Sequence, residues 1–170
     1  MKKLVVVING KGGVGKDALC EALARAYQVM NISAITPIKE IAATYGWRGE
    51  KDERSRRFLA ELKRVFAEYN DLPNRYLLEE YEKFLKSDSE VLFVHIREND
   101  QIARFVAGVH SPCITLLIRR RAVDERAQYG NAADDNVADY PYDCFFDNDL
   151  PLEESGARFI EFFDELWEKI

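Results

Sequence analysis

The chain opens on an uninterrupted apolar run, Leu4-Val5-Val6-Val7-Ile8. A run that is apolar at both alternating faces predicts a strand buried on two sides of a parallel sheet. A glycine-rich turn, Gly10 to Gly15, follows directly, and Leu19, Leu23, Ala26, Tyr27 and Met30 then recur at helical spacing, so a helix is expected from about Lys16. A second, weaker strand reads at Ser33 to Thr36, ended by Pro37. From 37 to 90 the pattern is helical. Phe58, Leu59, Leu62, Val65, Phe66 and Tyr69 define one helix face, Asn70 to Asn74 breaks it, and Leu77, Leu78, Tyr81, Phe84 and Leu85 define another. Strand patterns return at Val91 to Ile96 and Ile114 to Ile118, separated by a short helix near Asp100 to Ala107. A polar segment covers 119–141, a short strand follows at Cys144 to Phe146, and Phe159, Ile160, Phe162, Phe163, Leu166 and Trp167 mark a last helix. Strands alternating with helices predict a three-layer α/β domain around a parallel sheet.

Composition narrows the class. A length of 170 residues with no repeat, low-complexity tract or long linker suits one domain. A hydrophobic fraction of 47% excludes wholesale disorder. No apolar run approaches the ~18 residues that cross a bilayer, so no membrane partner is expected. The stretch after Met1-Lys2-Lys3 is too short for a signal peptide. Cys20, Cys113 and Cys144 are odd in number and far apart, which speaks against a disulfide framework or zinc knuckle and fits a reducing cytoplasm. The net charge of −6 is uneven: residues 1–100 hold 17 basic and 16 acidic side chains, residues 101–170 hold 7 and 14. Such a balance disfavours nucleic acid as partner and leaves room for a local basic site that takes a small phosphorylated ligand.

That site has a sequence signature. Gly10-Lys11-Gly12-Gly13-Val14-Gly15-Lys16 fits G-x-x-x-x-G-K and lies between a buried strand and a helix, the context the motif requires. Glycines free the backbone to aim several N–H groups at one concavity, the helix N-terminus adds partial positive charge, and Lys16 reaches the β- and γ-phosphates of a bound triphosphate. ATP is therefore the expected cofactor, held by residues 10–18, Ala18 included. A guanine-reading N-K-x-D is missing from the sequence, which favours adenine. Where such loops usually continue with Ser or Thr, this one has Asp17. Its carboxylate is a hard oxygen ligand for Mg²⁺ or, equally, a helix cap favoured by the dipole.

Lys11 to Lys16 also spells K-G-G-V-G-K, which resembles the deviant Walker A of ParA/MinD-type partitioning ATPases, whose first lysine reaches across a dimer interface. The rest of the chain departs from that family: Asp17 replaces the usual Thr, and Ser33-Ala34-Ile35-Thr36-Pro37 carries no carboxylate where that family has one. The chain resembles more closely the P-loop kinases, specifically the phage-type deoxynucleoside monophosphate kinases and adenylate-kinase-like relatives. Four features carry the resemblance. They are the loop ending Gly15-Lys16-Asp17; Trp47 with Lys51-Asp52-Glu53 and Arg56-Arg57-Phe58-Leu59; Val94-His95-Ile96-Arg97-Glu98; and Leu117-Ile118-Arg119-Arg120-Arg121, followed by Asp143 and Asn148.

The resemblance implies a five-stranded parallel P-loop sheet, a helical acceptor-binding insert at about 37–90 and a lid at about 119–140. It also implies transfer of a phosphoryl group from ATP to a small phosphorylated acceptor by a monomer or homodimer. Lys16, Arg97 and Arg119 are then the expected catalytic residues. Arg56, Arg97, Trp47 and Lys51 are expected at the acceptor, Arg120 with the loop at ATP, and Asp17 at the metal. The physical logic agrees, because phosphoryl transfer needs two anions held in line and the developing charge neutralised. Arginine forks suit phosphate oxygens. Arg56 flanks the apolar face of its helix whereas Arg57 points toward solvent. His95 occupies the strand-end position where many P-loop proteins have an aspartate near Mg²⁺, and reads as a neutral core histidine ahead of a catalytic one. Asp134, Asp135 and Asn136 form an acidic lid tip, while Asp143, Asn148 and Asp149 surround the last strand, near where adenine lies in such kinases. Tyr45, Trp47 and Tyr76 are aromatics able to stack on a base or to pack as core. A deoxynucleotide, a ribonucleotide and a non-nucleotide phosphate all remain open as acceptor.

Overall fold

The computed structural model describes residues 2–125 and 136–170. Strands β1 (Leu4–Asn9), β2 (Val29–Ser33), β3 (Val91–His95), β4 (Cys113–Arg119) and β5 (Cys144–Asp147) form one sheet in the order β2-β3-β1-β4-β5. Every pairing is parallel. The helices are α1 (Lys16–Leu23), α2 (Thr36–Thr44), α3 (Glu53–Asn70), α4 (Leu72–Lys86), α5 (Asn99–Ala107), the single turn α6 (Arg121–Asp124) and α7 (Leu152–Lys169), with a 3₁₀ turn at Val137–Asp139.

Alternation along β1 sorts the layers. Val5 and Val7 point into a core shared with Leu77, Tyr81 and Phe84 of α4 and with Ile102 and Phe105 of α5. Leu4, Val6 and Ile8 point into a second core with Leu19 and Leu23 of α1 and with Phe159 and Phe163 of α7. The central strand is thus buried on both faces, as its unbroken apolar run requires. This is the three-layer α/β architecture with a five-stranded parallel sheet that the pattern predicts.

Two boundaries differ from the sequence reading. Helix α1 stops at Leu23, and Met30, expected on its apolar face, belongs to β2. The second strand lies at Val29–Ser33, not at Ser33 to Thr36, because Val29 and Met30 pair with Val91 and Leu92 of β3. Pro37 opens α2 where it was expected to end a strand. A first-turn proline gives up no helical hydrogen bond, and its fixed φ suits the position.

The insert α2–α4 has a small core of its own, Ile38, Ala42 and Leu59, with Trp47, Leu62 and Phe66 packed against it. The face expected on α3 is buried only in part: Leu59, Leu62 and Phe66 pack as expected, and the rest of it does not. Leu59 and Lys63 are its buried residues, while Phe58, Val65 and Tyr69 are 47%, 48% and 81% exposed. The apolar arc of α3 is wider than its contacts with α2 and α4 can cover. At the α3–α4 break, Asp71 adopts a left-handed conformation (φ 56°), and its carboxylate accepts from Arg104 at 2.7 Å and from Asn74 at 3.2 Å. Of the expected lid, α6 and the 3₁₀ turn are described; Asp134 and Asp135 lie outside the described residues.

Candidate nucleotide-binding site

The carboxyl ends of β1, β3 and β4 meet around the loop 10–16, the end of a parallel sheet where ligands bind. Buried Asn9 closes β1 and fixes the start of the loop: its side-chain oxygen accepts from Gly10 N at 2.9 Å. Gly10 has φ 151°, and a Cβ there would stand 2.6 Å from the Ile118 carbonyl oxygen of β4. Gly15, the N-cap of α1, has φ 91°, and a Cβ there would stand 2.6 Å from Asn148 Nδ2. Both positions therefore demand glycine for conformation and for space. Asn148 buttresses the loop from the end of β5: Nδ2 donates to the Val14 carbonyl at 2.7 Å and its backbone N–H to Arg119 O at 2.8 Å. Its Oδ1 is buried with no hydrogen-bond partner.

Lys16 turns back over this loop and donates to the carbonyls of Gly10 at 2.6 Å and Lys11 at 3.4 Å. Burial first and the guanidinium of Arg97 second lower its pKa to about 8. Lys16 and Arg97 are thus close enough to repel, an arrangement that an anion between them would relieve. Asp17 is exposed in the first turn of α1 and opposes the shift of Lys16. Ala18 lies beside it, partly buried.

His95, at the end of β3, is partly buried with Nε2 3.3 Å from Asn31 Oδ1. Burial lowers its pKa to about 4, so the imidazole is neutral at pH 7. Arg97 leaves the same strand two residues later, and its backbone carbonyl accepts from Asn9 Nδ2 at 3.2 Å. The other N–H of that amide donates to Tyr142 Oη at 2.8 Å, and Tyr142 in turn donates to Val137 O at 2.6 Å. One buried amide therefore joins the loop, the strand end that carries Arg97 and the chain returning through Val137.

Sequence reasoning missed Lys63. Its ammonium lies 2.5 Å from Glu98 Oε2, with only 7% of its side chain exposed. The signal available was a lysine at i+4 from Leu59 on an otherwise apolar helix face.

The remaining expected residues divide into those at the site and those held elsewhere. Lys11 donates to Asp124 O of α6 at 3.2 Å, and Gly13 lies under Val123, so α6 sits against the loop within one chain. Arg120 opens α6, its backbone N–H capped by Asp124 at 2.8 Å. Arg119 is bound in bidentate fashion to Asp147 at 2.7 and 2.9 Å and lies 4.8 Å from the centre of the Phe145 ring, which ties β4 to β5. Asp149 accepts from Arg121 N at 2.8 Å. Asp143 precedes β5 and accepts from Thr115, so it stands at the amino end of the sheet, away from where it was expected. Trp47 packs in the small insert core, and its indole N–H donates to Glu50 O at 3.3 Å. Arg56 and Lys51 are exposed; Arg57 is exposed too, paired with Glu53 at 3.1 Å. Among the described residues no three His, Cys, Asp or Glu side chains converge as a metal cage.

Neither a protein-family model nor a curated protein sequence matches the chain. Solved structures do match its fold. A sugar kinase from Janibacter sp. HTCC2649 is 14% identical with a TM-score of 0.54, covering 96% of this chain and 95% of its own. A gluconokinase from Sinorhizobium meliloti 1021 is 14% identical with a TM-score of 0.53, covering 99% and 94%. A shikimate kinase from Aquifex aeolicus is 10% identical with a TM-score of 0.52, covering 95% and 96%. At these identities the likeness establishes the fold alone, one that these three kinases share with the chain over nearly its whole length.

Proposed function

We propose that this protein transfers the γ-phosphoryl group of ATP to a small phosphorylated acceptor, with a ribo- or deoxynucleoside monophosphate as the preferred class. The bond from γ-phosphorus to the bridging oxygen breaks, a new bond forms to an oxygen of the acceptor phosphate, and ADP leaves. The observation that carries this reading is the pairing of Lys16, inside the loop, with Arg97, at the adjacent strand end. A donor triphosphate beside a dianionic acceptor is repulsive unless cations stand at both, and these two residues supply one for each.

The choice of acceptor rests on which groups could act as a base. An alcohol must lose a proton to attack, whereas a phosphate oxygen is already ionised. His95, with its pKa near 4, is too weak a base for an alcohol, Glu98 is paired with Lys63, and the exit of β2 is Ser33-Ala34-Ile35. Asp17 fits one coordination position of Mg²⁺, the metal that ATP brings with it, and the phosphates and water would complete the shell. That ion would draw charge from the triphosphate as the bond breaks. Of the lid-base arginines, Arg120 is the better cation for ATP, since Arg119 is committed to Asp147. The hold of Asp124 on Lys11 within one chain weighs against a partitioning-type ATPase, in which that lysine must reach a partner.

The sugar kinase, gluconokinase and shikimate kinase among the structural neighbours favour the second reading, an alcohol acceptor on a small acid or sugar. ADP release measured with ATP, Mg²⁺ and a panel of acceptors separates the two. Stimulation by nucleoside monophosphates supports the first reading; stimulation only by gluconate, shikimate or sugars replaces it. Stimulation by none of them refutes the kinase.

A further inference from the structure

Helix α3 reaches the catalytic end of the sheet through one buried polar tether. Its apolar contacts belong to the insert, where Leu59 joins Ile38 and Ala42 in a core separate from the two that sandwich the sheet. Lys63, one turn after Leu59, instead points toward the exit of β3 and meets Glu98 at 2.5 Å. Glu98 is the N-cap residue of α5 and directly follows Arg97, so its backbone is held between that helix and the strand end. We propose that Lys63, by gripping Glu98, positions Arg97 for the acceptor anion and sets the distance between the insert and the donor loop. This rests on the kinase reading above.

Lysine is a costly residue to bury, and an apolar side chain at position 63 would complete the helix face with Leu59 and Phe66. Its long stem is what lets α3 reach the strand end. Burial lowers the pKa of Lys63 and Glu98 opposes that shift, while Arg97 adds to it, which places the guanidinium near the Lys63 ammonium. A step of this kind is sensitive to small displacements, since misplacing a phosphate-binding fork by about 1 Å costs on the order of a hundredfold.

The test separates positioning from stability. Lys63→Met strands the Glu98 carboxylate and lowers the melting temperature. The double variant Lys63→Met with Glu98→Gln removes both charges and returns the melting temperature close to wild type, as replaced ion pairs commonly do. Glu98→Gln alone keeps an oxygen for Lys63 and provides a milder variant. The probe is deoxythymidine monophosphate, titrated by calorimetry beside a non-hydrolysable ATP analogue and Mg²⁺. The expected result for the double variant is affinity for the monophosphate weakened about tenfold or more, affinity for the ATP analogue within about twofold of wild type, and Glu98→Gln intermediate. Wild-type affinity for the monophosphate in the double variant overturns the proposal, as does a parallel loss of ATP-analogue binding. Wild-type protein that binds the monophosphate yet releases no ADP refutes phosphoryl transfer alone, and the affinity ratios still decide the role of Lys63. Wild-type protein that binds neither the monophosphate nor inorganic phosphate overturns both.

Discussion

The loop between β1 and α1 and the insert α2–α4 each place a lysine, disfavoured by burial, within the field of Arg97, and they do so by opposite means. The loop is local. Lys16 is held by carbonyls five and six residues away, and every demand on the backbone falls on a glycine inside the same short segment. The insert is assembled at a distance. Lys63 finds its partner 35 residues later, on a different layer, and the helix that carries it leaves much of its apolar surface in water. A site built locally tolerates almost no change of residue type but is secure once formed. A site built from distant elements depends on how those elements dock, and its residues are replaceable wherever docking survives.

The largest effect should follow from breaking the loop. Lys16→Ala removes the ammonium proposed to face the transferring group, a preorganised charge of the kind worth about a hundred- to a thousandfold in kcat. The variant should fold normally, because among the described residues the hydrogen bonds of Lys16 go to loop carbonyls, and circular dichroism alongside ADP release checks both halves of that statement. Lys11→Ala should cost far less, since the ammonium of Lys11 donates to the Asp124 carbonyl of α6 and does not turn back over the loop as Lys16 does.

Next in size is the acceptor side. Arg97→Ala deletes a charge-assisted contact worth about 1.5–3 kcal/mol, roughly ten- to hundredfold in acceptor-dependent turnover. The KM for ATP should hardly change. Equal losses for ATP and acceptor would place Arg97 with the donor and erase the division of labour between the loop and the exit of β3.

The two regions also differ in how much of them can be read from residues alone. Strand β1, the loop and α1 are announced by contiguous residues, because a buried parallel strand, a phosphate cradle and a helix start each have a local composition. The three layers follow from the alternation of strands with helices, whereas the order β2-β3-β1-β4-β5 is set by pairings distant in sequence. The insert resists such reading for a physical reason. Helical periodicity marks an apolar arc, but only tertiary packing decides which part of that arc is covered, so Phe58, Val65 and Tyr69 were expected inside and Lys63 was not singled out at all. Asn148 was placed near adenine from its position after β5, and its bond to Val14 could not be seen, because that contact spans 134 residues of sequence. Likewise the pairing of Arg119 with Asp147 follows from the β4–β5 register, which no local pattern states.

A smaller effect concerns pH. Lys16 has a pKa near 8 in the unliganded protein, lowered by burial first and by Arg97 second. An anionic ligand binds the protonated form, so affinity should be flat below about pH 7 and fall as pH rises through 8, by up to about tenfold per unit. Binding of an ATP analogue in metal-free buffer, followed from pH 6.5 to about 9.5, measures this. In Arg97→Ala the repulsion is gone, the Lys16 pKa rises, and the fall should begin at higher pH. An unmoved midpoint would mean that the two cations do not share one field.

The smallest expected effect lies on the outer surface of α3. Val65 is 48% exposed and belongs to the apolar arc whose packed part is Leu59, Leu62 and Phe66. Were the sequence pattern the arbiter, Val65 would be core, and Val65→Gln would cost several kcal/mol by stranding an amide in an apolar contact. In the observed packing the substituted amide meets water, and valine is a slightly poorer helix former than glutamine. Val65→Gln should therefore change unfolding free energy by no more than about 0.5 kcal/mol, while Leu59→Ala, in the insert core, should cost about 2–5 kcal/mol. Chemical denaturation of both variants checks the pair. A large loss at Val65 would mean that α3 buries its other face in solution, and Lys63 would then be pulled away from Glu98. The same measurement therefore bears on the tether: a neutral Val65→Gln is what a helix docked through Lys63 requires.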